Sequence, residues 1–333
     1  MRIAIDAMGG DHSPDQIIQG ALDALPSLES GDELILVGPE SLLREKLGTD
    51  AVNNPLIKLH DAEEVISMDD SPVEAVRQKR KSSIVKMVKL AAANGADAII
   101  SAGNTGALVA AGVLMLKALP GVDRPGIAVH IPTAHGPFML CDAGANVQPK
   151  PQHLLQYAVA ASVYSQVLGH VASPRVGLLN IGAEPEKGTA LVKDVRELMQ
   201  RETDLNFVGF VEARDMFNKP CDVLITDGFT GNVVLKVIEG LGTSFMQIIK
   251  KQAKAAKPEL LADLSGVLRA IECQYDHEEY GGAMLLGVQA MFMKVHGSAK
   301  ARGICNAVKS VRDAGRHNIN AQLVTRLAHL VAQ

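Results

Sequence analysis

Five places along the 333-residue chain join an apolar run to a glycine-bearing loop, and most of them carry asparagine or aspartate beside the glycine. They read D-A-M-G-G-D (6–11), S-A-G-N-T-G-A (101–107), C-D-A-G-A-N (141–146), N-I-G-A-E-P-E-K-G-T (180–189) and T-D-G-F-T-G-N (226–232). Glycine lets a backbone approach an anion closely, and a helix opening just beyond it aims free N–H groups at the same spot. Any one of these loops is also an ordinary tight turn, since glycine and asparagine are the usual turn formers. Five of them, placed after strands on one edge of a sheet, favour a phosphate-sized oxyanion site. No G-x-x-x-x-G-K-[ST] segment occurs and no G-x-G-x-x-G opens the first helix, which speaks against a P-loop and a dinucleotide site.

Three side chains near these loops add positive or titratable character. Lys187 sits on a glycine-flanked turn just before a helical stretch, and Lys236 lies about one helical turn past Asn232. For Lys236 the plain alternative is a surface lysine. His296, in K-V-H-G-S, ends an apolar strand before a helix start, with Ser298 as its N-cap; a capping or core histidine is the plain alternative there. Cys141, Cys221, Cys273 and Cys305 are widely spaced and form no CxxC pair, so neither zinc nor a disulfide framework is indicated. As a nucleophile Cys141 is poorly placed, because Asp142 beside it raises a thiol pKa. No G-x-S-x-G elbow is present. The basic run R-Q-K-R-K-S-S (77–83) reads as a solvated face, as a patch for an acidic partner, or as an anion site reached through Ser82 and Ser83.

The elements that must position these groups alternate. Strands are expected at 2–6, 33–37, 57–60, 98–101, 126–131, 137–142, 175–180, 206–210 and 222–226. Helices are expected at 15–25, 41–47, 82–93, 105–116, 151–168 and 189–201. Such alternation with short loops predicts a mostly parallel sheet with helices on both faces. The short link between 126–131 and 137–142 predicts one antiparallel pairing. From about 232 to 271 the pattern becomes two long helices broken at Lys257-Pro258, a projecting helical hairpin suited to dimer or membrane contact. A strand pair at 280–296 and two helices, 298–313 and 318–331, complete the chain.

Composition sets the frame. With 47% hydrophobic residues, 3% aromatic and no tryptophan, the core must be aliphatic, as suits a sheet covered on both faces. The net charge of -4 makes nucleic acid a poor partner. No linker divides the sequence, which predicts one elaborated α/β domain over 1–333. The opening M-R-I-A-I-D-A-M-G-G-D is a strand and turn, not a signal peptide, and no run of 18 apolar residues occurs. A cytoplasmic protein is expected.

Several long segments carry a family likeness: I-A-I-D-A-M-G-G-D-H-S-P, A-V-R-Q-K-R-K-S-S, S-A-G-N-T-G-A-L-V-A-A-G, C-D-A-G-A-N-V-Q-P-K-P-Q-H-L-L-Q-Y-A, V-G-L-L-N-I-G-A-E-P-E-K-G, D-G-F-T-G-N-V-V-L-K-V-I-E-G, Y-G-G-A-M-L-L-G-V and K-V-H-G-S-A-K-A-R-G-I. In this order they resemble the acyl-acyl carrier protein:phosphate acyltransferase family along essentially the whole chain. Gln148 stands where an acidic residue is usual after G-A-N, and Thr226 where cysteine is frequent before D-G-F. The resemblance implies a Rossmann-like three-layer α/β/α sandwich similar to isocitrate and isopropylmalate dehydrogenases, without nicotinamide chemistry. It implies a homodimer, no cofactor and no metal. It also implies acyl carrier protein as donor, inorganic phosphate as acceptor, and peripheral membrane contact where a downstream glycerol-3-phosphate acyltransferase uses the product.

On these expectations phosphate attacks the thioester directly, with no acyl-enzyme. Asn104, Gly106, Asn232 and Lys187 are assigned to phosphate and oxyanion binding, and His296 to a proton-donating role. Asp6, Asp142, Asn146 and Asp227 shape that shell, and Gly9, Gly10, Gly103, Gly231, Asn180, Lys236, Ser82 and Ser83 complete the substrate site. Competing readings are a phosphotransacetylase-like enzyme using coenzyme A, a dehydrogenase on the same fold, and a scaffold that recruits acyl carrier protein to membranes.

Overall fold

The computed structural model describes residues 1–275 and 282–331. In chain order it runs β1 (Arg2–Asp6), α1 (Asp15–Ala24), β2 (Glu33–Gly38), α2 (Glu40–Val52), β3 (Ile57–Asp61), α3 (Pro72–Gln78), α4 (Ser83–Ala92), β4 (Ala98–Ser101) and α5 (Thr105–Met115). It continues with β5 (Gly126–Ile131), β6 (Phe138–Cys141), α6 (Pro151–Leu168), β7 (Val176–Asn180), α7 (Ala190–Arg201), β8 (Phe207–Glu212) and β9 (Val223–Ile225). The last part is α8 (Gly228–Ala256), α9 (Pro258–Tyr275), β10 (Ala283–Leu286), β11 (Met291–Lys294), α10 (Ala301–Arg316) and α11 (Ile319–Val331). Of the expected 280–296 strand pair, Tyr280 and Gly281 lie outside the described residues.

The eleven strands among the described residues join one sheet in the order β3-β2-β1-β4-β11-β10-β5-β6-β9-β7-β8. Helices cover both faces. One apolar core packs strand residues such as Ile3, Ile5, Leu34 and Leu178 against α1, α6, α10 and α11. A second packs Ala4, Val37, Ile99 and Phe292 against α3, α4 and α5. The alternation within β1, where Ala4 serves one core and Ile3 and Ile5 the other, is the period-two signature of a strand buried on both faces. The expected three-layer α/β/α class is what the chain adopts.

Strand polarity departs from the expected single loop-bearing edge. β10 pairs antiparallel with both β11 and β5, and β5 pairs antiparallel with β6. β4 and β11 are parallel, as are β6, β9 and β7. These reversals turn the second half of the sheet over. The loops after β1, β4 and β11 therefore lie on one edge, and those after β6, β7 and β9 on the other. A strand's own sequence does not state its direction, so five similar loops read as one group.

The helix expected to begin near Asn232 starts at Gly228, with Asp227 capping it. A Cβ on Gly231 would lie 1.9 Å from the Asp142 carbonyl oxygen, so glycine here lets the first turn of α8 press onto the loop after β6. Beyond that turn α8 buries little; of its residues only Gly228, Gly231 and Ala253 are buried. It folds back on α9, where Lys250 meets Glu272. By length and composition α8 qualifies as a membrane-crossing helix, and it is the one such helix among the described residues.

Candidate active site

Although the loops divide between two edges, α8 connects them. It starts at the edge carrying the β6 loop and crosses the sheet face, so that its second and third turns meet residues from the opposite edge. Between α8 and α5 lies a cavity of about 300 Å³. Its floor is every second residue of three central strands: Ile127 and Val129 of β5, Ala283 and Leu285 of β10, Phe292 and Lys294 of β11. Thr105 comes from the first turn of α5, and Asn232, Lys236 and Glu239 from α8. His130 and His296 complete the polar lining.

Lys294 is the distinctive group. It ends an otherwise buried strand, M-F-M-K, and its ammonium donates to the carbonyls of Val295 and of Ala102, the latter at 3.4 Å. Burial pulls its pKa down to about 8; Lys236 adds to that, while Asp6 and Asp11 oppose it. At neutral pH it is a partly desolvated cation near a second lysine. Lys236 pairs with Glu239 at 2.7 Å, which anchors its side chain on the cavity wall. Asn232, four residues earlier, packs against Gly144, and among the described residues its side-chain amide has no hydrogen-bond partner in the protein. Burial lowers the pKa of His130 to about 4, so this imidazole is neutral at pH 7. His296 Nδ1 lies 2.8 Å from Ser298 Oγ at the cavity mouth.

Most of the other expected site residues support this arrangement without entering the cavity. Asp6 is buried, accepting from the Met8 N–H at 3.1 Å and the Ser101 hydroxyl at 2.7 Å. Burial raises its pKa, against hydrogen bonds from Ser101 and Ser83. Gly9 and Gly103 let the two loops meet over that carboxylate, since a Cβ on Gly9 would lie 2.5 Å from Asp6 Oδ2. Gly10, at φ +95°, packs on the Gly297 carbonyl, which also accepts from Asp11 N–H at 2.8 Å. Ser82 is the N-cap of α4, accepting from Val85.

Asn104 is fully engaged. Its Oδ1 accepts from Ala107 as N-cap of α5, and its Nδ2 donates to the carbonyls of Ser67, Met68 and Asp70 at 3.1–3.2 Å. Gly106 faces Pro72 of α3, where a Cβ would approach to 2.6 Å. On the other edge, Asp142 Oδ1 accepts from the backbone of Ile127, Gly144 and Ala145, and Oδ2 from Asn146. The Asn146 amide in turn holds Pro125 and Tyr157. Asp227 caps α8 through Thr230. Lys187 does not join the cavity: it is exposed on the loop after β7, which Asn180 closes by donating to the carbonyls of Gly182 and Lys187.

Burial raises the Cys141 thiol pKa well above its usual value and that of Cys221 up to about 12, so neither supplies a thiolate. Cys305 is buried in α10, and the side chain of Cys273 lies outside those described. Among the described residues no group of histidine, cysteine and carboxylates converges as a metal site.

With this geometry in hand, the model of a family described as fatty acid synthesis protein matches residues 1–322. A phosphate acyltransferase of Oceanobacillus iheyensis is 45% identical over 319 residues, covering 94% of this chain and 93% of that protein. One of Bacillus pumilus is 44% identical, covering 96% of each. The chain belongs to this family. Among solved structures, a phosphotransacetylase from Streptococcus pyogenes superposes with a TM-score of 0.63 at 16% identity, over 95% of this chain and 94% of that one, a likeness of fold.

Besides His130 and Glu239 on the cavity wall, reading the loops missed Lys294. It lies inside the K-V-H-G-S motif, two residues before the histidine that drew attention. The available signal was a lysine closing a strand whose other residues are all buried.

Proposed function

We propose that this enzyme moves a long-chain fatty acyl group from acyl carrier protein onto inorganic phosphate, giving acyl phosphate for phospholipid synthesis. The observation that carries this reading is Lys294 beside Lys236 in one small cavity with an apolar floor, in a chain 45% identical to a curated phosphate acyltransferase.

Much of the phosphate is already dianionic near neutral pH, so the site needs no strong base. Lys294 and Lys236 hold the anion. One phosphate oxygen attacks the thioester carbonyl, forming a C–O bond and a tetrahedral oxyanion. Collapse breaks the C–S bond, and the carrier leaves as a thiolate. The Asn232 amide donates to the oxyanion, a contact of a kind worth about 3–4 kcal/mol in acyl transfer. Orientation of phosphate against the carbonyl can contribute up to about 7–11 kcal/mol. His296, at the mouth, is the group placed to return a proton to the departing sulfur.

Arg77 in the last turn of α3 and Arg80 and Lys81 just before α4 are exposed, a basic ridge suited to an acidic carrier protein. Residues 1–333 act as one elaborated domain. Exposed apolar residues of the hairpin that do not line the groove along α8 (Phe229 and Ile248 of α8, Val267 of α9) suit a second copy of the chain in a homodimer, and peripheral membrane contact beside the enzyme that consumes the product. The protein works from the cytoplasm.

The test is to incubate the purified protein with hexadecanoyl acyl carrier protein and phosphate and to follow free carrier thiol. Release that requires phosphate and yields acyl phosphate is expected. Release without phosphate, or a marked preference for coenzyme A thioesters, would replace this reading.

A further inference from the structure

The cationic cavity continues past its rim. His130, Leu235 and Glu239 border both it and a larger groove of about 920 Å³ that runs along α8. The groove has walls from separate parts of the chain: Ile131 at the end of β5, Phe217 after β8, Ile238, Leu241 and Met246 on α8, and Ile271 near the end of α9. It is a recess rather than a flat face. From Leu235 to Ile249, both of which line it, α8 rises about 21 Å. A bilayer's hydrocarbon core of about 30 Å holds two lipid tails end to end, so one long tail needs about 15 Å.

We infer that this groove holds the hydrocarbon tail of the acyl donor, with the thioester at the His130–Glu239 junction and the methyl end pointing toward Met246. The inference rests on the acyl-transfer reading and adds the subsite that measures chain length. Three observations favour a tail over a partner's helix or a lipid surface. The groove opens into the cavity where the thioester must sit, its length suits one tail, and its apolar walls come from four separate parts of the chain. A covalently delivered tail reaches it without leaving the reacting carbonyl.

Gly242 gives a clean test. It lines the groove about midway, and a Cβ there meets nothing within 4 Å. Gly242→Phe therefore places a ring in the channel, while replacing a glycine inside a helix favours the helical state. Gly240 has the same open surroundings on the same helix but does not line the groove, so Gly240→Phe is the matched control.

The readout is the ratio of kcat/KM for hexadecanoyl to hexanoyl acyl carrier protein in phosphate-dependent thiol release. Gly242→Phe is expected to lower that ratio at least tenfold, equivalent to losing the burial of roughly two methylenes. Gly240→Phe should leave it within twofold. Equal loss for both donors, no change of ratio, or an equal shift in the control would each overturn the groove assignment. If the unsubstituted enzyme releases thiol from neither donor, the acyl-transfer reading itself fails instead.

Discussion

Two polar clusters sit at opposite ends of the first three turns of α8, and they differ in what their atoms already have. Around Asp142 every strong group is matched: four backbone N–H groups meet the carboxylate, and the Asn146 amide bridges Pro125 and Tyr157. Around Lys294 the balance is open. A half-buried ammonium has two carbonyl acceptors, a second lysine stands close enough to depress its pKa, and the Asn232 amide faces the same space. The first cluster is a frame that holds α8 on the sheet. The second has spare positive charge and donors, the condition an anion would satisfy. A satisfied network rigidifies, whereas an unbalanced one is costly to keep and is found where a ligand completes it.

Substitutions should separate the two clusters. Lys294→Met is expected to lower kcat/KM for phosphate by about 10²–10³-fold, since it removes a charge aimed at the developing anion. The same change should not unfold the protein. Lys294 has a folded pKa of about 8 against an ordinary 10.5, so between those values the unfolded chain binds a proton that the folded chain does not. Stability of the unsubstituted protein should therefore rise with pH across that window, by up to about 3 kcal/mol, and Lys294→Met should abolish the rise. Denaturant titrations at both ends of the window check this.

Asp142→Asn should do the reverse. An amide cannot accept from four N–H groups, so we expect a loss of about 3 kcal/mol in denaturant stability, with near-normal turnover in the fraction that folds. Smaller in effect is pH itself. As Lys294 deprotonates, kcat/KM for phosphate should fall up to tenfold per unit above pH 8, and the Met variant should lose that limb. Least affected should be Lys187→Ala, with phosphate kinetics within twofold, and Cys141→Ser and Cys221→Ser, with full activity per folded molecule.

Much of the fold was legible because it is local. Glycine and asparagine punctuate short aliphatic runs, and strands such as 98–101 and 126–131 fall where the alternation puts them. The loops still divide between two edges: β10 and β11 arrive from the far end of the chain and insert between β4 and β5, where their two reversals cancel, and it is the antiparallel β5–β6 pair that turns the later strands over. The site was legible in part for a related reason. Asn104, Asp142, Asn146 and Asp227 have the residue types of an anion cradle, but caps and buried nests use the same chemistry on the protein's own backbone. Sequence does not say which amides remain unmatched. Lys294 escaped notice because no glycine adjoins it; only its burial at the end of a β-strand marks it.

The most direct measurement is the phosphate dependence of carrier-thiol release by the unsubstituted enzyme and by Lys294→Met and Lys187→Ala, side by side at pH 7. The account predicts a hundredfold or greater loss in kcat/KM for phosphate with Lys294→Met and near-identity with Lys187→Ala. Retained phosphate kinetics in Lys294→Met, or a collapse confined to Lys187→Ala, would place the anion elsewhere and contradict it.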